Sequence, residues 1–173
     1  MPSHSHASAT HTGNSHYGRL LVMTVLSFAA MYVLMYAMVN SLGNVYASLN
    51  QFYMAGLMTA AMVVIELALM SGMYPDRRLN AIVIGAGAIV LIVFWIFTRQ
   101  QTAISDKQFL RSMIPHHAGA ILMCNHASIR DGEIQRLCQN IITGQQREID
   151  QMKAKLTELE KGNHPLPRET WKP

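Results

Sequence analysis

LLVMTVLSFAAMYVLMYAMVNSL, Leu20–Leu42, contains no charged side chain. A helix rises about 1.5 Å per residue and the hydrocarbon core of a bilayer is roughly 30 Å thick, so about 20 apolar residues are enough to cross it. The same test picks out Phe52–Met73, charge-free apart from Glu66, and Leu79–Phe97, which carries no charge. Tyr17, Phe52, Tyr53, Tyr74, Trp95 and Phe97 lie near the ends of these stretches, where amphipathic rings favour headgroup level. A chain of 173 residues is too short to cover three all-round apolar helices with water-soluble structure, so the stretches predict three membrane spans. The first is too long and too internal to read as a cleaved leader.

Outward from the spans, the composition changes abruptly. Only 14% of the whole chain is charged, and no Asp, Glu, Lys or Arg occurs between Leu20 and Ile65. Beyond Arg99 the chain is rich in Lys, Glu, Arg and Gln. The reading divides the chain into a His-rich tail (1–18), a three-helix transmembrane domain (19–99), a helical hairpin (105–161) and a C-terminal tail (162–173). The fold class is all-α. A net charge of +4 without any basic stripe interleaved with aromatics argues against nucleic-acid binding. Basic residues favour the cytoplasmic side. Arg19, Arg77 and Arg78 therefore put the N-terminus and second loop in the cytoplasm and the segment after Arg99 outside, although Arg99, Lys107 and Arg111 count against that orientation.

The hairpin reads as two amphipathic helices. Ser105 and Gln108 form a capping-box pattern, and Phe109, Met113, Ala120, Met123, Cys124 and Ala127 recur at helical spacing. Arg130-Asp131-Gly132 is a turn with Asp131 as N-cap. A second helix runs from Ile134 to Leu159 and stops at Gly162. Folding about Asp131 opposes positions that sum to 262. Cys124 then faces Cys138, either as a disulfide in an oxidising compartment or as two buried thiols. A lone hairpin cannot bury both apolar faces, so a homodimer closing a four-helix bundle, or a helical membrane partner, is expected.

Met113, His116 and His117 share one helical neighbourhood, with Met123 and His126 further along. The fold-back brings Gln145, Glu148, Ile149 and Met152 opposite them. Thioether with imidazole suits copper, Cu(I) above all, because sulfur is a soft ligand. The competing reading is a polar patch of core histidines hydrogen-bonded to Gln145 and Glu148. Pro115 removes a helical N–H and complicates where the histidines point.

Asp106-Lys107-Gln108-Phe109-Leu110-Arg111-Ser112-Met113-Ile114-Pro115-His116-His117, then Ala120-Ile121 and Met123, resembles the opening motif of the bacterial "domain of unknown function 305" family. Gln145, Glu148-Ile149, Met152 and Leu156 are similar to that family's second helix. The resemblance covers Ser105–Leu159. It implies a ferritin-like bundle, usually extracytoplasmic, and copper binding as in some periplasmic members, with Met113, His116, His117, Met123 and Met152 as the matching ligands. Lys155 stands where many members have an aromatic residue, and the domain occurs once.

Three features remain. His4, His6, His11 and His16 lie in a tail whose composition predicts disorder, and it either binds metal loosely or carries histidines incidentally. Nine of the thirteen methionines fall in the first two spans. Met31, Met35 and Met38, and Met54, Met58 and Met62, follow helical spacing, read first as ordinary packing and second as a Cu(I) path. Glu66 is an intramembrane acid without a Lys or Arg in the spans to pair with, which predicts a neutral, hydrogen-bonded carboxyl. The reading is a membrane-anchored metal-binding protein of the bacterial inner membrane, for copper or another transition metal, in homeostasis or resistance. Its rival is a metal-free interaction module. An enzyme fits poorly, because no Glu-x-x-His pair, nucleophile–base set or phosphate-binding glycine loop occurs.

Overall fold

The computed structural model describes residues 9–162, with side chains from residue 16 onward. Five α-helices account for most of it: α1 (Ala9–Leu34), α2 (Leu49–Leu69), α3 (Arg77–Gln100), α4 (Asp106–His126) and α5 (Gly132–Glu160). No strand occurs among the described residues. Three segments are long and apolar enough to cross a membrane: His16–Met38, Leu49–Leu69 and Arg77–Gln100.

The chain divides into two units. The first comprises α1, α2 and α3. Here α2 is the central helix, packed against both α1 and α3. It buries small residues, Ala55, Gly56, Thr59 and Ala60, together with Val63 and Leu67. A Cβ built on Gly56 would come within 2.6 Å of the Phe94 ring, and one on Gly87 within 2.9 Å of Val64 Cγ2. Each glycine therefore admits a large side chain from the opposite helix, the close approach that small residues permit between apolar helices.

Polar side chains tie the ends of this unit. At one end Tyr17 donates from its hydroxyl to Asn80 Oδ1 at 2.7 Å, and Asn80 Nδ2 donates to the Tyr74 carbonyl at 3.1 Å. Asp76 caps α3 by accepting from the backbone N–H groups of Arg78 and Leu79. Burial pushes the Tyr74 phenol above its ordinary value, and the Glu66 and Tyr17 side chains add to the shift. At the other end the Tyr53 hydroxyl donates to the Thr102 carbonyl at 2.9 Å, and Asn50 Nδ2 to Gln101 Oε1 at 2.9 Å. Gln101 and Ala103 adopt positive φ, 51° and 59°, where the chain leaves α3. Such left-handed conformations cost an L-residue with a Cβ roughly 1 kcal/mol or more.

The helices differ from the expected spans at their ends. The helix of the first span starts at Ala9, so residues 9–18, expected to be disordered, continue it instead; extending an existing helix is cheap beside nucleating one. His4 and His6 lie outside the described residues. At its other end the helix tightens to a 3₁₀ turn at Met35–Met38 and does not reach Leu42. Asn40, Ser41, Gly43 and Asn44 favour turns, and Asn44 Nδ2 donates to Asn40 Oδ1 at 2.7 Å. The α2 helix ends at Leu69 rather than Met73, so Glu66 lies within one turn of its end.

The second unit joins Met38–Ser48, the first interhelical loop, to α4 and α5. Its core is Ile114, Ala118, Ile121, Ile149 and Leu156, with Val39 and Tyr46 of the loop packed against it. The hairpin thus finds a partner inside its own chain for part of its apolar surface. A short turn forces α4 and α5 to run antiparallel. Asp131 caps α5, accepting from Glu133 N at 2.8 Å and Ile134 N at 3.0 Å. Gly162 adopts φ 73° just past the end, the left-handed conformation that stops a helix. Ser105 occupies the N-cap of α4, but its side chain makes no capping bond. The α4 helix is continuous through Pro115, which is buried.

Candidate metal centre

The amphipathic pattern of α4 decides what surrounds its histidines. Ile114, Ala118 and Ile121 point into the hairpin core. Successive positions turn about 100° on a helix, so His117 lies at the edge of that core and His116 on the opposite, outer face of α4. His116 is exposed, whereas the His117 side chain is only 15% exposed.

His117 Nδ1 lies 3.0 Å from Glu148 Oε2 on α5. The same nitrogen is buried and has no aligned hydrogen bond. The carboxylate is therefore close but off the line that a ring N–H needs. The His116 and His117 ring centroids are 6.0 Å apart, with the planes tilted 60°. Two imidazoles bound to one ion, each with a metal–nitrogen distance near 2.0 Å, hold their centroids at most about 6.4 Å apart. At 6.0 Å the rings reach one ion only at a wide, near-linear nitrogen–metal–nitrogen angle; tetrahedral sharing holds the centroids about 5 Å apart and needs the rings to turn towards each other.

The remaining predicted ligands are distributed along the hairpin. Met113 is half-buried, one turn before the histidines. Met152 packs against the hydrophobic core. Met123 is 53% exposed and His126 is exposed at the last residue of α4. Two turns separate His116 from Met123, about 10 Å along the axis, and His126 is further still. The structure therefore pairs His117 with Glu148, leaves His116 beside it on the exposed side of α4 with Met113 one turn earlier, and leaves Met123 and His126 towards the turn. Among the described residues, no three His, Cys, Asp or Glu side chains converge as a metal-holding group. A complete ligand set needs the Met113 thioether or a donor from outside the chain.

Cys124 and Cys138 are joined as a disulfide, with their Cα atoms 5.3 Å apart, inside the usual range for such a bond. Neither is then available as a thiolate ligand. Further down the hairpin, Arg111 Nη2 donates to Glu160 Oε1 at 2.8 Å. Lys155 Nζ donates to Glu158 Oε1 at 2.8 Å. The contribution of the Met38–Ser48 loop was missed from the sequence. Its one available signal was the apolar residues, Val45 and Tyr46 among them, standing in a connection punctuated by Asn40, Ser41, Gly43 and Asn44.

Comparison with known proteins identifies the family. The family described as "Domain of unknown function (DUF305)" matches residues 54–158, more than half of the chain and well beyond the hairpin where the sequence motif lies. "Uncharacterized protein L153" of Acanthamoeba polyphaga mimivirus is 38% identical over 142 residues, covering 80% of this chain and 91% of that protein. An alignment of that length extends into the apolar helices, and the relative is viral rather than bacterial. No solved structure matches. With its second and third apolar helices inside the matched region as well as its hairpin, the chain belongs to the DUF305 family.

Proposed function

We propose that the protein is a membrane-anchored binder of a transition-metal ion, copper before others, serving metal homeostasis or resistance rather than catalysis. The observation that carries this reading is His117 Nδ1: a buried ring nitrogen beside Glu148 without an aligned hydrogen bond, 6.0 Å centroid to centroid from a second imidazole. Buried polar atoms without partners are uncommon, and an unseen ion is one reason for them. His116 and His117 would hold the ion with Met113, and a soft thioether beside imidazole favours copper over zinc. The Glu148 carboxylate would orient His117 and offset the positive charge.

The anchor is the set of three apolar helices. Three crossings bring the first interhelical loop and the hairpin out on the same face of the bilayer, and their shared core supports that count. We place the N-terminus in the cytoplasm and the hairpin outside, in a bacterial inner membrane or the plasma membrane of another host. Protease protection of sealed vesicles tests the orientation.

Copper per chain, measured on the purified full-length protein beside His116→Ala/His117→Ala, tests the site. Loss of at least one bound ion in the double variant is expected, and equal copper content in both proteins refutes it. A second reading has its own observation. Met123, Ile134 and Leu137 remain about half exposed near the turn of the hairpin, an apolar surface suited to a second copy or a helical membrane partner. Leu137→Glu abolishing a dimer in a chain that binds no metal would favour that interaction module.

A further inference from the structure

Helix α2 carries a second set of soft donors, away from the hairpin. Met54, Met58, Met62, Glu66 and Met70 recur at every fourth position. Residues four apart on a helix are neighbours, with Cβ atoms about 5–6 Å apart. Met58, Met62, Glu66 and Met70 all line one groove of about 460 Å³. That groove is formed by α2 and the residue after it alone, on a different face from the one that buries Gly56, Ala60 and Leu67 against the neighbouring helices.

Two features separate this row from ordinary packing. Methionine in a helix–helix contact fills gaps in a core, and Met62 does pack against the Leu20, Val63 and Leu67 cluster, but Met58, Met62 and Met70 also line the open groove. Glu66 lies in the same groove and makes no ion pair among the described residues. An acid within an apolar span is costly and calls for a functional account. A monovalent cation beside its carboxylate forms a pair without net charge, which lowers that cost.

We propose that Met58, Met62, Glu66 and Met70 form a binding site for Cu(I) within the span. The thioethers supply soft ligands and Glu66 the compensating charge. Neighbouring sulfurs, about 6 Å apart in helical rise, let one ion contact two of them and pass to the next. Met54 continues the row towards the opposite end of α2. This deepens the metal-binding reading, adding an intramembrane site to the one on the hairpin.

The test uses the full-length protein in detergent micelles, loaded with Cu(I) under ascorbate or with Ag(I), then desalted. On the His116→Ala/His117→Ala background, at least one Cu(I) per chain should remain, with a sulfur-dominated shell by X-ray absorption. Adding Met58→Leu/Met62→Leu/Met70→Leu should remove it, and Glu66→Gln should weaken it about tenfold or more. Leucine nearly conserves methionine volume, so the fold should be kept; an unchanged melting curve checks this. Met35→Leu, outside the groove, should bind as before. Retention of the ion by the triple-Leu chain overturns the proposal. So does absence of any ion from the His116→Ala/His117→Ala chain, a result that leaves the hairpin site standing. Loss with the leucines alone, with the histidine variant unaffected, removes the hairpin site instead.

Discussion

Helix α2 and the hairpin helices each bury one face, but with different residues. The α2 helix hides mainly small residues, Ala55, Gly56, Thr59 and Ala60, beside Tyr53, Val63 and Leu67, whereas the hairpin hides mainly branched ones, Ile114, Ile121, Ile149, Leu156 and Leu159, beside Ala118 and Gly119. In water, removing branched apolar side chains from solvent drives packing. Among helices apolar on every side that drive disappears, and close backbone approach with interdigitated shapes takes its place. The outer faces agree. Leu21, Leu26, Ile82 and Ile92 are exposed on α1 and α3, while α5 turns Gln146, Arg147 and Asp150 outward. The two units thus bury different mixtures of side chains and expose different surfaces, one apolar and one polar.

Substitutions that suit one unit should be costly in the other. The largest effect is expected for Ile149→Ala. This side chain is 0% exposed at the centre of the hairpin core, and such truncations cost about 2–5 kcal/mol. Hydrogen exchange of α5 amides in the detergent-solubilised chain should quicken accordingly, while α2 amides remain protected. Next comes the covalent tie. The disulfide closes a loop with a sequence separation of 14 residues, and loops of about that size gain roughly 3 kcal/mol. Cys138→Ser should lower the hairpin's unfolding free energy by that amount and leave the apolar unit unchanged; equal loss in both units would erase the distinction drawn here. The smallest effects come from paired glycines. Gly56→Ala must push the Phe94 ring aside, costing about 1–3 kcal/mol. Gly85→Ala meets nothing within 4 Å and should stabilise α3 by about 0.5–1 kcal/mol. A difference between the two in thermal melts of the solubilised protein is the measurement.

The central parts of all three apolar helices were readable because composition alone reports them. Their ends were not. The helix of the first span gives way at Leu34 to a 3₁₀ turn and the turn-forming Asn40, Ser41, Gly43 and Asn44, whereas the packing of Val39 and Tyr46 on the hairpin core joins residues too distant in sequence for a local pattern to announce. Caps divide the same way. Asp131 works as its spacing suggests, whereas Ser105 holds the right position without making the bond. At the site, the fold-back about Asp131 correctly faces Cys124 with Cys138 and brings Glu148 to His117. Burial was harder to foresee. Adjacent histidines of identical chemistry end up one exposed and one enclosed, because only the packing of α5 distinguishes their two sides. Met123 and His126 belong to the motif by spacing, but helical rise carries them away from the pair.

The loop shared with the hairpin bears on how the protein is made. Val39 and Tyr46 leave the ribosome well before Ile114 and Ile149, with two membrane-length helices translated in between. The core they jointly form cannot close until α4 and α5 have followed. Until then Val39 and Tyr46 lack the neighbours that cover them in the folded hairpin, so the earliest-made part of this core is the last to be buried.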